Sequence, residues 1–524
     1  MLMKLFKSRL ALGPFKKVGL TLLLAATCLT GPMVLYAQGR GALPTLGDGS
    51  EMSSSSERRL GDRIAREIYR DPDFIDDPVL GEYVQGIWQP LLAAARSRGE
   101  MSQELDERFA WEIMLGRDRT VNAFALPGGY FGVHLGLIAI VSSRDELASV
   151  LGHELSHVTQ RHISRLISRQ SQQAPWMMGA MILGALAASK SPDAGNALIV
   201  GGQALSAQSQ LNFSRDMERE ADRVGFGLMT QAGFEAQGFV SMFGKLQQAS
   251  RLNDNGAYPY LRSHPLTTER IADMQSRLAL EPAAKPGAGV LSTEHALIAT
   301  RAGVLSNLGV DALQAMMTEA DGRQFVTLSA PQQAAVLYGA ALASSRLRDF
   351  ASSQGYLSRL QAAVALQTDP AAARLGRLLA AELALTAGDL ARATQLLKAS
   401  PGTGRPELIM AAQVATQQAG AELEGVAQRL QSWVLTRPRD AQAWQLLAAA
   451  YTAQGRRLAA IRAEAEAQVA LLNYSAAVDR FSAAQALLRQ GPVGTAAADH
   501  IEGSIIDTRK RQVALWLKEQ TLER

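Results

Sequence analysis

His153-Glu154-Leu155-Ser156-His157 is an H-E-x-x-H motif and the most specific pattern in the chain. On a helix, positions i and i+4 share one face, so both imidazoles can reach one metal ion while Glu154 remains free to accept a proton. Histidine is scarce, with 7 in 524 residues, and three of them lie between positions 153 and 162. The motif therefore favours the site of a zinc-dependent hydrolase over a helix with two surface histidines.

A second, acidic motif provides a candidate third ligand. Zinc sites in hydrolases use three protein ligands and leave one position open. Glu218 lies 61 residues after His157, in an E-R-E-A-D segment that ends at Asp222. Glu218 and Asp222 share a helical face, so Glu218 can bind the metal while Asp222 accepts a hydrogen bond from a ligating imidazole. Because acid pairs at this spacing usually form a solvated face, the assignment depends on the first motif.

Three segments before the motif have the residue pattern of strands. Phe109, Trp111 and Ile113 alternate with other residues, as in a half-buried strand. Residues 120–125 and 130–141 predict two further strands on either side of a Pro-Gly-Gly turn. A small sheet is therefore expected ahead of the motif.

The motif itself is predicted to lie on a buried helix. Ser143 and Glu146 have the spacing of a capping box at the start of that helix. An apolar stripe follows at helical spacing, formed by Leu147, Val150, Leu151, Leu155 and Val158. Packing of this stripe against a core would hold the two histidines rigidly.

The second half of the chain is predicted to be helical throughout. Residues 281–289, with two prolines and two glycines, are the best candidate for a domain boundary. Beyond them the chain is rich in Ala, Leu and Gln, and Trp444, Leu447, Ala448 and Tyr451 follow the tetratricopeptide pattern W-x2-L-G-x2-Y with Ala for Gly. A degenerate tetratricopeptide array is therefore expected, with a generic helical bundle as the alternative for the earlier helices.

The first 37 residues have the layout of a secretory signal peptide. Five basic residues and no acid precede or flank an apolar run from Val18 to Leu29, and Ala37 is a plausible cleavage position. An uncleaved membrane anchor is the alternative. Cys28 is the single cysteine, so a cleaved chain has none and its cores need no disulfide. This combination is typical of an exported bacterial envelope protein.

The basic charge of the whole chain comes from this leader. The full chain has 53 basic and 49 acidic residues, and removal of the first 37 residues leaves 48 basic against 49 acidic ones. A net charge of −1 excludes a polybasic nucleic-acid-binding protein.

The order of motifs resembles the gluzincin metalloproteases of the HtpX and CAAX-prenyl-endopeptidase group. H-E-x-x-H is followed by a glutamate in E-x-x-x-D, as in that group. N-A-F-A-L-P-G-G at 122–129 resembles its characteristic strand, and S-H-P at 263–265 matches another of its marks. The resemblance covers about residues 56–280, and the N-terminal transmembrane helices of HtpX itself are missing from this chain.

The resemblance implies a metal site and a role for each of its residues. His153, His157 and Glu218 are expected to bind one Zn²⁺ ion, Glu154 to act as the general base, and Asp222 to orient a ligating imidazole. This allocation agrees with the chemistry, because zinc loosens the proton of an attacking water and Glu154 needs only to accept it.

The resemblance also implies how a substrate binds. Asn122, Ala123, Phe124 and Ala125 are expected to form an edge strand that pairs with an extended polypeptide through backbone hydrogen bonds. His264 has three possible roles: a catalytic donor to the tetrahedral intermediate, a fourth zinc ligand in a resting state, or a cap of the next helix. His134 and His162 are interpreted as structural, because His162 lies five residues past His157 and off the metal face. His295 and His500 lie in the helical part and are expected to have no partner.

The predicted fold class is α+β and mostly helical. The predicted divisions are a signal peptide at 1–37, a flexible linker at 38–55, a zincin-type metalloprotease domain with a small sheet at 56–285, and a tetratricopeptide-like solenoid at 290–520. An apolar segment at 176–187 is too short to span a bilayer and is expected to cover the site or to touch a membrane or partner.

With the leader and the repeats added, the chain resembles periplasmic members of this group that serve β-barrel assembly. The resemblance implies an endopeptidase whose substrates are unfolded or misassembled outer-membrane β-barrel proteins. It also implies a partner, the β-barrel assembly machinery, contacted through the repeats, and possible peripheral membrane association. The alternative hypothesis is a chaperone-like repeat scaffold with a latent or structural metal site.

Overall fold

The computed structural model describes residues 52–169, 214–251, 257–282, 291–367, 369–399, 402–418, 420–491, 493 and 496–522. The predicted leader, the linker up to residue 51 and the apolar segment at 176–187 lie outside these residues. In the described part, no helix combines the length and the apolar character needed to cross a membrane.

The described residues form four short strands among many helices, which confirms the predicted mostly helical α+β fold class. The strands are β1 (Phe74–Ile75), β2 (Glu112–Gly116), β3 (Ala123–Leu126) and β4 (Tyr130–His134). The helices up to residue 282 are α1 (Ser54–Arg70), α2 (Pro78–Ser97), α3 (Gln103–Arg108), α4 (Leu135–Ile140), α5 (Arg144–Thr159), α6 (His162–Arg169), α7 (Arg215–Gln231), α8 (Gln237–Arg251), α9 (Tyr260–Ser263) and α10 (Thr268–Leu278).

The later part of the chain is a succession of helices joined by short connections. They are α11 (Thr293–Ser306), α12 (Val310–Asp321), α13 (Ala330–Arg346), α14 (Phe350–Ala365), α15 (Pro370–Ala387), α16 (Leu390–Ala399), α17 (Arg405–Gln418), α18 (Glu422–Thr436), α19 (Ala441–Ala453), α20 (Arg457–Ala470), α21 (Tyr474–Arg489) and α22 (Ala496–Leu522). Neighbours such as α13 and α14, or α19 and α20, pack directly on each other.

The four strands form one sheet in the order β1-β2-β4-β3. β1 pairs with β2 and β3 pairs with β4 in antiparallel fashion, whereas β2 and β4 run parallel. The order leaves β3 at an edge of the sheet, and β3 packs against α5. The edge strand and the helix of the H-E-x-x-H motif are therefore neighbours.

The predicted strand over 130–141 is wrong in its second half. The strand ends at His134, and Leu135–Ile140 forms α4. Gly136 permits this helix to begin against the preceding segment, because a Cβ there would lie 2.1 Å from the Arg119 carbonyl oxygen. A short apolar run without a polar face does not reveal its period, so the sequence pattern fits a strand and a buried helix equally well.

The predicted strand over 109–113 begins later than expected, at Glu112. Phe109 is the C-cap of α3, and Trp111 has a φ of +52°. A residue in this left-handed region cannot continue an extended strand. The Trp88 indole N–H donates to the Trp111 carbonyl oxygen at 3.0 Å and stabilises this change of direction.

Helix α5 starts at the predicted position and is almost entirely buried. The Ser143 hydroxyl accepts a hydrogen bond from the Glu146 backbone N–H at 3.1 Å. The Glu146 carboxylate accepts from the Ser142 N–H at 2.6 Å, one residue before the position that a capping box uses. Every residue from Glu146 to Thr159 is buried, so the motif helix forms the centre of the fold and not a surface element.

Helix α7 approaches α5 closely at two glycines. A Cβ on Gly225 would lie 2.9 Å from both the Gly152 carbonyl carbon and the His153 backbone nitrogen, so only glycine fits there. Asp222 and Glu218 precede Gly225 by three and seven residues, which places all three on one face of α7. This contact therefore sets the distance between the two acids and the H-E-x-x-H motif.

The helices after residue 290 pack on the start of α2. The Asp77 carboxylate caps α2 and accepts two hydrogen bonds from the buried Arg301 guanidinium, at 2.6 and 2.9 Å. Two further acids near this end make similar ion pairs, Asp76 with Arg405 and Glu82 with Arg374. One hydrophobic core includes residues of both parts. The predicted boundary at 281–289 lies mostly outside the described residues, and the division into two domains stays a prediction.

His295 has two partners that the sequence did not indicate. Its Nδ1 lies 2.6 Å from the Tyr83 hydroxyl oxygen, and its Nε2 lies 2.8 Å from the Val141 carbonyl oxygen. The expectation that nothing pairs with His295 is therefore wrong. Because both partners belong to the first part of the chain, His295 joins α11 to the segment just before the motif helix.

Candidate metal centre

Helices α5 and α7 bring the three predicted ligands together. The His153 and His157 Nε2 atoms are 3.0 Å apart. The two Glu218 carboxylate oxygens lie 3.4 Å from the first and 3.3 Å from the second of these nitrogens. Ligand atoms at tetrahedral zinc, with bonds of about 2.0–2.1 Å, are about 3.3 Å apart. The three side chains therefore have the spacing of ligands to one ion.

His264 occupies the fourth corner of this arrangement. Its Nδ1 lies 3.3 Å from His153 Nε2 and 3.1 Å from the nearer Glu218 oxygen, and one donor atom from each of the four residues lies within 4.8 Å of the others. His264 does not cap α10, because Thr267 accepts the hydrogen bond from the Arg270 N–H. The geometry thus favours a fourth ligand over a capping residue.

The charges around these ligands fit a divalent cation. Glu154, Glu218, Asp222 and Arg270 are each no more than 3% exposed, and together they have a formal charge of −2. Buried charges in proteins are balanced by partners or by metal ions, because an isolated ion is costly to desolvate. A single divalent cation between the four donor atoms would balance this charge.

Asp222 and Arg270 hold His153 in place on the side of its ring that faces away from the other ligands. The Asp222 Oδ1 atom lies 2.9 Å from His153 Nδ1, and its two carboxylate oxygens accept from the Arg270 guanidinium at 2.6 and 2.7 Å. Burial lowers the pKa of His153, but hydrogen bonds to Asp222 and Glu218 outweigh it and raise the pKa to about 9. Asp222 and Glu218 therefore favour a positive charge at His153. A bound cation can supply that charge in place of a proton, and the His153 imidazole then stays neutral.

His157 has a partner that the sequence interpretation missed. Its Nδ1 lies 2.8 Å from His162 Nδ1, and His162 Nε2 lies 2.9 Å from a Glu220 carboxylate oxygen that also accepts from Arg165 at 3.0 Å. The five-residue spacing from His157 to His162 predicts a position off the metal face, as on one continuous helix. That spacing does not apply, because α5 ends at Thr159 and the chain turns before α6.

Glu154 lies beside the candidate ligands and faces the same space. Its Oε1 atom is 3.4 Å from His264 Nε2, and the Tyr260 ring stacks on the His264 ring with centroids 4.6 Å apart. Burial raises the pKa of the Glu154 carboxyl. A carboxylate in this position can exchange a proton with a water or a substrate that takes the place of His264 at the fourth corner. Neither Tyr260 nor Arg270 has a sequence signal of its own, since both are single residues brought in by tertiary contacts.

The predicted substrate strand lies at the sheet edge, as β3. The Asn122 carbonyl oxygen accepts from the His134 N–H at 3.0 Å, which makes Asn122 part of a hydrogen-bonded pair with β4. Such pairs alternate along antiparallel strands, so the backbone groups of Ala123 and Ala125 point away from β4. Val121, in the same outward series, accepts from the Tyr260 N–H and donates to the Ala257 carbonyl. The edge of β3 that faces away from β4 therefore begins at Val121, beside the segment that holds Tyr260, and continues to Ala123 and Ala125.

All the candidate site residues lie in the part of the chain that one family model matches. The model of peptidase family M48 matches residues 89–278. A Vibrio cholerae protein named as a β-barrel assembly-enhancing protease is 32% identical over 345 residues, which cover 65% of this chain and 67% of that relative. The chain belongs to peptidase family M48. As an M48 member it is a metalloendopeptidase, and the cluster described above is where this chain can bind the divalent metal of its family.

Two other relatives show how far the similarity extends. The β-barrel assembly-enhancing protease of Escherichia coli is 31% identical over 264 residues, covering 50% of this chain and 52% of that relative. A mitochondrial metalloendopeptidase of Saccharomyces cerevisiae is 27% identical over 201 residues, covering 37% of this chain and 55% of that relative. The chain thus aligns with about half the length of these two M48 proteins.

Proposed function

We propose that this M48 chain is a periplasmic zinc endopeptidase that degrades misassembled outer-membrane β-barrel proteins and assists the assembly of others. The observation that carries the proposal is the buried set of four donor atoms, all within 4.8 Å of one another, with the Glu154 carboxylate beside it. The names of the bacterial relatives support the choice of client, and the leader at 1–37 supports export. Digestion of an unfolded β-barrel protein by the purified chain, with Glu154→Gln as its inactive partner, tests the proposal.

The roles proposed for the site residues follow from their positions. His153, His157 and Glu218 would hold the ion, and zinc suits a ligand set of imidazoles and a carboxylate. When bound, zinc supplies Lewis-acid polarisation of the scissile carbonyl and of the attacking water. Glu154 accepts the proton of that water and returns it to the nitrogen of the leaving amine. Asp222 keeps the proton of His153 on Nδ1, so that Nε2 offers its lone pair to the metal.

The edge strand is proposed to hold the substrate. An extended polypeptide can pair with the outward backbone groups of Ala125, which is half-buried, while the inward groups of Asn122 and Phe124 stay bonded to β4. Ala123 belongs to the same outward series but is fully buried. Because β3 packs against α5, this pairing would bring the scissile bond to the metal centre. Backbone pairing selects for unfolded chains, since a folded barrel has few free edges.

Replacing Ala125 by proline is expected to reduce kcat/KM for an unfolded β-barrel protein about tenfold. Proline removes the outward N–H, and the loss of one backbone hydrogen bond plus the ring's steric effect amounts to about 1–2 kcal/mol. Ala125→Ser keeps the N–H and is the matched control. Zinc content and thermal unfolding should be the same in both variants. Equal cleavage rates for the proline and serine variants would remove β3 from the substrate site.

The helices after residue 290 are proposed to form a tetratricopeptide-like array that recruits clients or the β-barrel assembly machinery. The side chains of the predicted repeat, Trp444, Leu447, Ala448 and Tyr451, are all buried on α19. Ala460 and Ala467 are buried on α20, as the small positions of the second repeat helix require. Stacked helical pairs of this kind expose extended surfaces for other polypeptides.

A large cleft separates α1 from the last helices and is the proposed docking surface. Its volume is about 1250 Å³, and it is lined by seven arginines and five acids, an excess of two positive charges. Tyr474 and Trp516, with ring centroids 5.5 Å apart, supply an aromatic wall. Excess guanidinium groups beside aromatic rings suit an extended polypeptide segment with acidic side chains.

Reversal of charge at Arg59, an exposed residue of this cleft, is expected to weaken binding of an acidic peptide three- to tenfold. Arg59→Glu adds a repulsive charge to the wall of the cleft, whereas Arg70→Glu makes the same change on α1 outside it. Fluorescence anisotropy with a labelled acidic peptide measures both, and the difference should shrink at high salt. Equal weakening by the two variants would indicate a general charge effect and contradict docking in the cleft.

One observation favours a second candidate, a latent site. With His264 at the fourth corner, all four positions of a tetrahedral ion are taken by protein, and an open position for water or substrate requires His264 to leave. A protein in this state would act as a scaffold or chaperone until the site opens.

His264→Ala separates latency from catalysis. If the closed state makes up nine-tenths or more of the population, cleavage of an unfolded client should become at least about tenfold faster, because the competent fraction rises. Zinc should stay at one ion per chain, since three ligands remain. Loss of cleavage at unchanged zinc content would instead make His264 a catalytic donor, and an unchanged rate would contradict both roles.

A further inference from the structure

The second zinc ligand, His157, is oriented by a different kind of partner from the first. His153 contacts the Asp222 carboxylate directly, at 2.9 Å. His157 contacts another imidazole, His162, which in turn contacts a carboxylate, Glu220. We propose that His162 and Glu220 form a positioning relay that fixes the tautomer of His157 and so determines how tightly the site binds its metal. This inference rests on the metal site of the proposed function.

The positions of the protons follow from the chemistry of the groups. A carboxylate only accepts hydrogen bonds, so the His162 Nε2 atom, 2.9 Å from Glu220, carries a hydrogen. In a neutral imidazole the other nitrogen is then an acceptor, and His162 Nδ1 can accept from His157 Nδ1 at 2.8 Å. His157 Nε2 is left with its lone pair, and it faces the space between His153 and Glu218. One carboxylate thus fixes two imidazoles.

The local fold holds the relay in place. Arg161, with a φ of +59°, turns the chain between α5 and α6 and brings His162 back under His157. His162 is fully buried, whereas the Glu220 side chain is 44% exposed and also accepts from Arg165. The relay therefore begins at the partly exposed Glu220 and ends at the buried ligand His157.

The relay gives a role to every acid of the E-R-E-A-D segment. Glu218 would bind the metal beside His157, Asp222 supports His153, and Glu220, between them, supports His157 through His162. All three acids lie on α7, so one helix supplies a ligand and the outer partner of each ligating histidine. Outer partners of this kind typically change metal affinity ten- to a hundredfold.

The test is zinc affinity of the full chain, measured by competition with a chromophoric chelator. His162→Leu removes the acceptor and should weaken zinc binding ten- to a hundredfold. His162→Asn should remain within a few-fold of wild type, because its amide oxygen can accept from His157 and its NH₂ group can donate to Glu220. Glu220→Gln should fall between the two. Glu269→Gln, at an exposed position on α10, is the matched control and should have no effect.

Several outcomes would overturn the relay. Equal losses in His162→Leu and His162→Asn would assign His162 a packing role only, as would wild-type affinity in His162→Leu. Thermal unfolding of the metal-free variants provides the check on folding, since Leu and Asn should leave the midpoint similar. Failure of the wild type to bind zinc would overturn the proposed site together with the relay. Normal zinc binding without cleavage of any client would contradict the proposed function alone.

Discussion

Glu154→Gln is expected to abolish cleavage of an unfolded outer-membrane β-barrel protein while one zinc ion stays bound per chain. Glutamine keeps the shape of the side chain but cannot accept the proton of the attacking water. Loss of a positioned general base lowers rates by roughly 10²- to 10⁴-fold. The buried Glu154 carboxylate lies 3.4 Å from His264 Nε2 and is not one of the three proposed ligands, so its replacement leaves those three in place. Gel-based proteolysis and zinc analysis of the same preparations measure the two quantities.

The control for this variant is Glu319→Gln, the same chemical change at an exposed position on α12. Its cleavage rate and zinc content should match those of the wild type. Cleavage by Glu154→Gln at the wild-type rate would exclude Glu154 as the base. Loss of zinc together with activity would show that Glu154 acts as a ligand instead.

Gly225→Ala is expected to disrupt the metal centre without changing the side chain of any proposed ligand. The added methyl group would lie 2.9 Å from the backbone of Gly152 and His153, so α7 must move away from α5. Overpacking of this kind costs about 1–3 kcal/mol. Glu218 and Asp222 move with α7, and a ligand shifted by a few tenths of an ångström binds zinc less well. The expected result is a lower unfolding temperature, with the equilibrium constant for unfolding raised about 5- to 150-fold by this cost, together with a weaker zinc affinity.

Gly244→Ala is the matched control for this change. Gly244 lies inside α8, and a Cβ there would have no heavy atom within 4 Å. Alanine should therefore stabilise the helix by about 0.5–1 kcal/mol and leave zinc binding unchanged. If Gly225→Ala behaved in the same way as Gly244→Ala, the close approach of α5 and α7 would not be what sets the ligand distances.

The fold class could be predicted from the sequence because helical periodicity and capping are local. The start of α5 at Ser143 and its buried stripe needed only residues within one or two turns. The strand predictions failed in two kinds of place. In Leu135–Ile140 every residue is apolar or glycine, so no alternation of polar and apolar residues separates a strand from a helix. At Trp111 a single residue with a left-handed φ changes the direction of the chain. In both places a contact with a distant segment outweighed the local pattern.

Some residues of the candidate site could likewise be predicted from local spacing, and others could not. The H-E-x-x-H and E-x-x-x-D spacings each place two side chains on one helix face, so their pairing could be inferred before the helices were located. His162 and Arg270 could not be found in this way. His162 reaches His157 only because the chain turns at Arg161, and Arg270 reaches Asp222 from a helix 48 residues later in the chain.

The sequence alone therefore determined which residue types form the site and which helices present them, since these depend on spacings within one helix. Only the tertiary structure decided that α7 lies against α5 at two glycines, that His264 stands at the fourth corner, and that the second histidine is supported through another imidazole. These features depend on distances between segments far apart in the chain. Such distances are set by packing of the whole core, which no local pattern encodes.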